Sequence, residues 1–326
     1  MSVKKGLLHI EFGAMSSQNR RRFLGTLIGG AAGLKAYSAF ARQATASITT
    51  TKLADNFMLF SGAGGNVLAL RGADGILMVD SGLPERSFAL LEAVAQNLGP
   101  GPIRVLFNTH WHLEHTGGND KIGRTGAKII AQDNTKLWMS REILVEWQSN
   151  KVYPPRAKEA LPNDTFFPHE SPRKMSFGNE QVQYGHMFQA HTDGDIYVFF
   201  PGPNILVAGD VLSVGQYPIL DYSTHGWIGG MANASRDLLQ IADAQTRIIP
   251  GAGPIQTRAD LQAQADMLNT VRTRLAAMMK QGLGVKEMLA SAPTQEFDAK
   301  WGDPTSFIMS TYPGLWGHAR ELGGII

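Results

Sequence analysis

From Phe57 onward, short apolar runs alternate with polar or glycine-rich turns. Residues 57–60, 66–70 and 76–79 are too short for helices and read as successive strands. Residues 87–98 space their apolar side chains as a helix does and stop at Gly99-Pro100-Gly101-Pro102. The runs at 104–107, 128–131, 182–189, 196–200, 205–208 and 247–249 predict further strands. Helical spacing returns at 134–147, 233–244, 261–280 and 285–290, and in parts of 305–322, with a break expected at Pro313-Gly314. Two stretches lack a period and read as long loops. One is 148–173, punctuated by Pro154, Pro155, Pro162, Pro168 and Pro172; the other is 210–230, which carries Tyr217, Tyr222 and Trp227. Strands and helices mixed in this way predict an α/β sandwich built in layers.

Polar residues add a regularity of their own. Asp80, His110, His191 and Asp210 each fall at or just beyond the C-terminal end of a predicted strand. Loops at one sheet edge are where sites are usually assembled.

The first 46 residues are organised differently. Asn19-Arg20-Arg21-Arg22-Phe23-Leu24 precedes a mildly apolar, Gly- and Ala-rich run at 26–40, and Ala39-Phe40-Ala41 and Ala44-Thr45-Ala46 are small-residue cleavage patterns. A charged start, apolar middle and small-residue end is the layout of a secretory signal. Paired arginines before Phe-Leu resemble a twin-arginine export signal. The apolar run is broken by Lys35 and falls short of the roughly 20 residues that span a bilayer. Residues 1–46 are therefore expected to be a signal peptide, cleaved after Ala41 or Ala46 and handled by the twin-arginine export machinery. The product would be periplasmic or otherwise exported, without a stable membrane span. Residues 47–326 would form a single domain, with a C-terminal helical extension from about residue 257.

Composition narrows the chemistry. Residues 1–41 carry six Lys/Arg and one Asp/Glu, so removing them leaves 24 basic and 27 acidic residues, net −3. No basic stripe remains for nucleic acid. There are no cysteines, which excludes disulfides, thiolate nucleophiles and Cys-bound zinc. Any metal must be held by imidazole, carboxylate and water. The 43% of hydrophobic residues suffices for one large core. A phosphate loop, a GxSxG elbow and a dinucleotide fingerprint are all missing from the sequence.

Three of the nine histidines and a carboxylate fall within six residues, His110-Trp111-His112-Leu113-Glu114-His115, directly after Val105-Leu106-Phe107. Imidazole is the commonest protein ligand for zinc and also suits iron. Four other pieces accompany this cluster. They are Met78-Val79-Asp80-Ser81-Gly82, Ala190-His191-Thr192-Asp193-Gly194-Asp195, Val207-Ala208-Gly209-Asp210 and Ile249-Pro250-Gly251-Ala252-Gly253-Pro254. In order and spacing the five resemble the metallo-β-lactamase fold superfamily. That resemblance implies a four-layer αββα sandwich with a metal site between the loops of its two sheets. It implies His110, His112 and His191 as the first metal site, with Asp210 bridging to a second metal that His115 also binds. Asp80 would be the buried carboxylate that orients the metal-binding loop without being a ligand.

Two positions depart from the family's pattern. Glu114 stands where the family has Asp, and Ala252 where it has a metal-binding His. Both fall on the second site, which is therefore doubtful. The expectation is one zinc per chain on three imidazoles, with Asp210 holding its water or acting as a fourth ligand. Glu114 is a candidate general base, or else a solvated or salt-bridged carboxylate left over from a lost site. The expected function is an exported hydrolase of small molecules, directing metal-bound hydroxide at an ester, thioester, lactone or β-lactam carbonyl. Two alternatives stand beside it. One is a mononuclear iron enzyme that oxidises sulfur compounds, using two of the histidines with Asp210. The other is a catalytically inactive binding member of the fold.

Overall fold

The computed structural model describes residues 47–320 and Leu322, so the expected export signal lies outside the described residues. Four strands, β1 (Thr49–Ala54), β2 (Phe57–Ser61), β3 (Val67–Gly72) and β4 (Gly75–Val79), form an antiparallel meander. Helix α1 (Ser87–Leu98) leads to β5 (Ile103–Phe107), which lies parallel to β4. Two short helices, α2 (Leu113–Thr116) and α3 (Asn119–Gly123), lead on to β6 (Lys128–Gln132), again parallel. After α4 (Asp133–Met139) the chain makes a small ribbon of β7 (Ile143–Val145) and β8 (Lys151–Tyr153). Strand β9 (Asp164–Phe166) then closes the seven-stranded first sheet beside β6.

The second sheet has five strands. Strands β10 (Arg173–Phe177), β11 (Glu180–His186), β12 (Ile196–Phe200) and β13 (Ile205–Gly209) are antiparallel, and β14 (Arg247–Pro250) joins β13 in parallel. Helix α5 (Ile228–Ile241) crosses from β13 to β14. The chain ends in α6 (Arg258–Lys280), α7 (Val285–Ala290), α8 (Asp298–Trp301) and α9 (Thr305–Gly317). No helix of the described residues is long and apolar enough to cross a membrane.

Three apolar layers define the sandwich. The inner one lies between the sheets, where Leu68, Leu77 and Phe107 of the first sheet meet Val182, Val198 and Phe200 of the second. A second layer packs Leu90 and Val94 of α1 and Ile122 of α3 on the outer face of the first sheet. The third packs α5, α6 and the C-terminal helices on the outer face of the second, around Leu206, Ala208 and Ile248. The order is helices, sheet, sheet, helices: the expected αββα arrangement. Each such buried side chain contributes about 1.5–3 kcal/mol, so these layers dominate the stability.

The structure differs from the sequence expectation in four segments. The helix expected over 134–147 stops at Met139; Ile143 and Val145 alternate as a strand and bury against Trp111 and Tyr153 instead. The loop expected over 148–173 contains β8 and β9, strands of three residues each, too short to show a period. Helix α5 begins at Ile228 rather than at 233, through Gly229-Gly230, a pair that reads as a breaker. Helix α9 runs through Pro313 without the expected break, because Phe307, Ile308, Gly314 and Leu315 are buried against neighbouring elements on both sides of it.

Gly230 shows why α5 tolerates that pair. A Cβ there would run into the Gln189 carbonyl oxygen, so the helix start needs a bare backbone. In an exposed helix Gly→Ala stabilises by about 1 kcal/mol. Here Gly230→Ala should lower the melting temperature instead, which a thermal denaturation series on the variant checks.

Candidate metal centre

The site is assembled where strands of both sheets end. Asp80 follows β4 with a left-handed backbone, φ 65°, and its N–H donates to the Phe107 carbonyl at 2.8 Å. This conformation is one that Asp tolerates better than most residues. It turns the carboxylate back under the histidine loop. There Asp80 accepts from the Thr109 N–H, the Thr109 hydroxyl and His115 Nδ1, each at 2.8 Å. The Ile196 N–H donates to the Thr109 carbonyl at 2.8 Å, which fastens the loop of one sheet to that of the other.

Each imidazole has an acceptor behind it that decides where its proton sits. His191 Nδ1 donates to the Ile219 carbonyl at 2.7 Å, a partner that can only accept. His112 Nε2 donates to Asp221 Oδ2 at 3.0 Å. His110 Nδ1 lies 3.1 Å from the Thr109 hydroxyl, whose own proton is committed to Asp80. The free nitrogens, His110 Nε2, His112 Nδ1 and His191 Nε2, therefore present lone pairs, and they converge with an Asp210 oxygen within 4.8 Å of one another. His112 Nδ1 and His191 Nε2 face each other at 3.0 Å. His110 Nε2 is buried without any partner. A buried imidazole nitrogen without a partner, among other donors, suits a cation. The four imidazoles are almost wholly buried, whereas the Asp210 side chain is 16% exposed, so the centre opens on the Asp210 side.

The electrostatics separate the imidazoles. Burial, together with His115, His112 and His191, pushes His110 well below the ordinary imidazole pKa and keeps it neutral. Burial also opposes charge on His115, but Asp210 and Asp80 outweigh it and raise that pKa well above the ordinary value. His191 is raised in the same way, chiefly by Asp210 and Asp195 against burial. Burial alone would raise Asp210; His115, His110 and His191 overturn that and hold it well below the usual carboxylate range.

The profile described as metallo-beta-lactamase superfamily matches residues 61–262, well over half of the chain. The chain belongs to the metallo-beta-lactamase superfamily. A metallo-beta-lactamase type 2 from Elizabethkingia meningoseptica is 21% identical over 258 residues, covering 76% of this chain and 95% of the relative. Among solved structures, a metallo-beta-lactamase from Pontibacter korlensis superimposes with a TM-score of 0.54 at 20% identity, covering 68% of this chain and 99% of its own. The stereoselective inverting sec-alkylsulfatase from Pseudomonas sp. gives 0.64 at 15% identity, over 84% of this chain and 51% of the sulfatase. At these identities the structural likenesses establish the fold. A His/Asp cluster in a member of this superfamily is the centre of a metal-dependent hydrolase in general terms.

The second donor group of this superfamily member consists of Glu114, His115 and Asp210, whose ligand atoms also lie within 4.8 Å of one another. Asp210 serves both groups, with Oδ2 3.9 Å from His110 Nε2 and Oδ1 3.3 Å from His115 Nε2. Glu114 reaches this group despite its extra methylene, and its Oε1 stands 4.0 Å from His112 Nδ1. The turn carrying Ala252 lies against the same residues. A Cβ on Gly251 would meet Asp210 Oδ1, and one on Gly65 would meet both His115 and the Gly251 carbonyl. Ala252 brings no donor there. The second group thus has one imidazole and two carboxylates.

Sequence reasoning missed Asp221, Thr109 and the Ile219 carbonyl, which act behind the ligands. Asp221 sits in the aromatic loop after β13 with no motif around it; its only local signal, Ser223 and Thr224 two and three residues on, is that of a turn. The loop aromatics divide in two. Tyr217 stacks on Phe307 and donates to Asp298, and Trp227 stacks on His318, so both hold the loop down, while Tyr222 remains exposed. His225 is exposed and pairs with Asp193 at 2.8 Å, in neither donor group. Gly251 lends itself to a direct test. Gly251→Ala should displace Asp210 and weaken divalent-metal binding while leaving the far-ultraviolet circular dichroism unchanged, as a metal titration of the apoprotein would show.

Proposed function

We propose that the protein is an exported hydrolase with one tightly held zinc, acting on an ester, thioester, lactone or β-lactam carbonyl. The observation that carries this reading is the convergence of three imidazole nitrogens with Asp210, buried on all sides but one. Zinc suits three imidazoles and a carboxylate, and when bound it would bring the pKa of a coordinated water to about 7 and polarise a substrate carbonyl.

The chain's own residues do the rest. His110, His112 and His191 hold the ion, each oriented from behind by its acceptor. Asp210, ionised and partly open to solvent, receives the substrate side of the centre. Glu114, buried beside the same donors, would take up the proton that the attacking water gives up and return it to the leaving group as the substrate bond breaks. Asp80 and His115 keep the floor of the site rigid. The third imidazole favours hydrolysis over the iron alternative, whose centre needs only two histidines and a carboxylate. The likeness to a sec-alkylsulfatase adds sulfate esters to the substrates worth assaying.

Elemental analysis of the purified full chain should give one firmly bound zinc, and His191→Ala should lose both the metal and any activity on an ester, thioester, lactone, lactam and sulfate-ester panel. Metal well below one equivalent would overturn the reading, one iron would select the oxidative alternative, and a loaded but inert parent would select the binding member. Export rests on the paired arginines. Replacing Arg20 and Arg21 by Lys should leave the precursor inside the cell, as fractionation and immunoblotting would reveal.

A further inference from the structure

Asp221 is fully buried, and its carboxylate gathers donors from three segments of the chain. Oδ2 accepts from His112 Nε2 at 3.0 Å and from the Thr224 hydroxyl at 2.6 Å. Oδ1 accepts from Trp147 Nε1 at 3.1 Å and from the Ser223 N–H at 3.2 Å. The Asp221 N–H donates to the His191 carbonyl at 2.9 Å. One residue therefore touches two metal-binding histidines and Trp147. Trp147 lies between the two strands of the β7–β8 ribbon, and its ring is 5.7 Å from that of His112. Ile143, Val145 and Tyr153 of the ribbon pack on Trp111 and Met139, with Trp147 against the same cluster.

We propose that Asp221 is a positioning residue that fixes His112 as a donor through Nδ1 and, by sharing its carboxylate with Trp147, couples filling of the metal site to docking of the β7–β8 ribbon. The inference rests on the zinc reading above. A carboxylate behind a ligating imidazole fixes its tautomer and raises its basicity. An ion on Nδ1 pins the His112 ring, and a pinned ring pins Asp221, so Trp147 gains a stationary acceptor. Coupling between two binding events is reciprocal: what the ion does for the ribbon, the ribbon does for the ion. Asparagine at 221 would offer one acceptor oxygen and turn its amide hydrogens toward two donors, so it cannot serve both His112 and Trp147.

The test is competition for zinc between the apo full chain and a chromophoric chelator, with hydrogen exchange of residues 143–153 followed in parallel. Asp221→Asn should lose about 10–100-fold in zinc affinity while the apo chain stays folded by circular dichroism. Zinc should slow exchange across 143–153 in the parent, and Trp147→Phe should abolish that slowing while weakening zinc by a smaller factor. Parent-like zinc affinity in Asp221→Asn, or exchange in the parent indifferent to zinc, overturns the proposal. If Asp221→Asn does not fold, the exchange comparison between parent and Trp147→Phe decides alone. A parent that takes up no zinc at all would sink the hydrolase reading first and this inference with it.

Discussion

Two facing imidazole nitrogens organise the site. His112 Nδ1 and His191 Nε2 stand 3.0 Å apart, and Asp221 and the Ile219 carbonyl claim the proton that either ring would need to relieve the contact. A positive charge between them turns the conflict into a site. Asp210 supplies the compensating negative charge, and His110 the third donor. The acceptors behind the rings fix which nitrogen of each faces the centre. Each uses its ring's hydrogen-bonding capacity on the far side and leaves the near side nothing but electron density.

The fold serves this convergence. Parallel strands β4 and β5 end side by side, which sets Asp80 beside the loop that follows Phe107. The left-handed turn at Asp80 then spends some backbone strain to put one carboxylate under both Thr109 and His115. On the other sheet, β13 and β14 end together and leave Asp210 against the Gly251 turn, so close that no side chain fits between them. Burial gives the charges their strength, since an ionised Asp210 among imidazoles in water would shift their titration far less.

The strand-end residues were legible because each closes an apolar run. Asp80, His110, His191 and Asp210 stand at or just beyond the ends of short apolar runs, and the ordered motifs around them point to the family. Runs bounded by clear turn residues, such as 87–98 and 196–200, reappear with the same limits. What was not legible depends on contacts between distant segments. Gly229-Gly230 reads as a breaker until Gln189 is seen pressed against it, and Pro313 reads as a break until the burial on either side is known. Asp221 is silent for the same reason. Its partners His112 and Trp147 lie 109 and 74 residues away in sequence, and no spacing rule reaches that far.

The donors come from both halves of the chain: His110 and His112 follow β5 of the first sheet, while His191 lies between β11 and β12 of the second and Asp210 follows its β13. The facing nitrogens of His112 and His191 are 79 residues apart in sequence. An ion bound there is a clasp across the sandwich, closing a loop comparable in reach to a cross-link. It cannot be held by one sheet folded alone, and a chain opened between its sheets must release it. Loading at 100 times the dissociation constant adds about 2.7 kcal/mol against such opening. For a cysteine-free protein, the metal can therefore be the closest equivalent of a disulfide, giving resistance to proteolysis as well as chemistry.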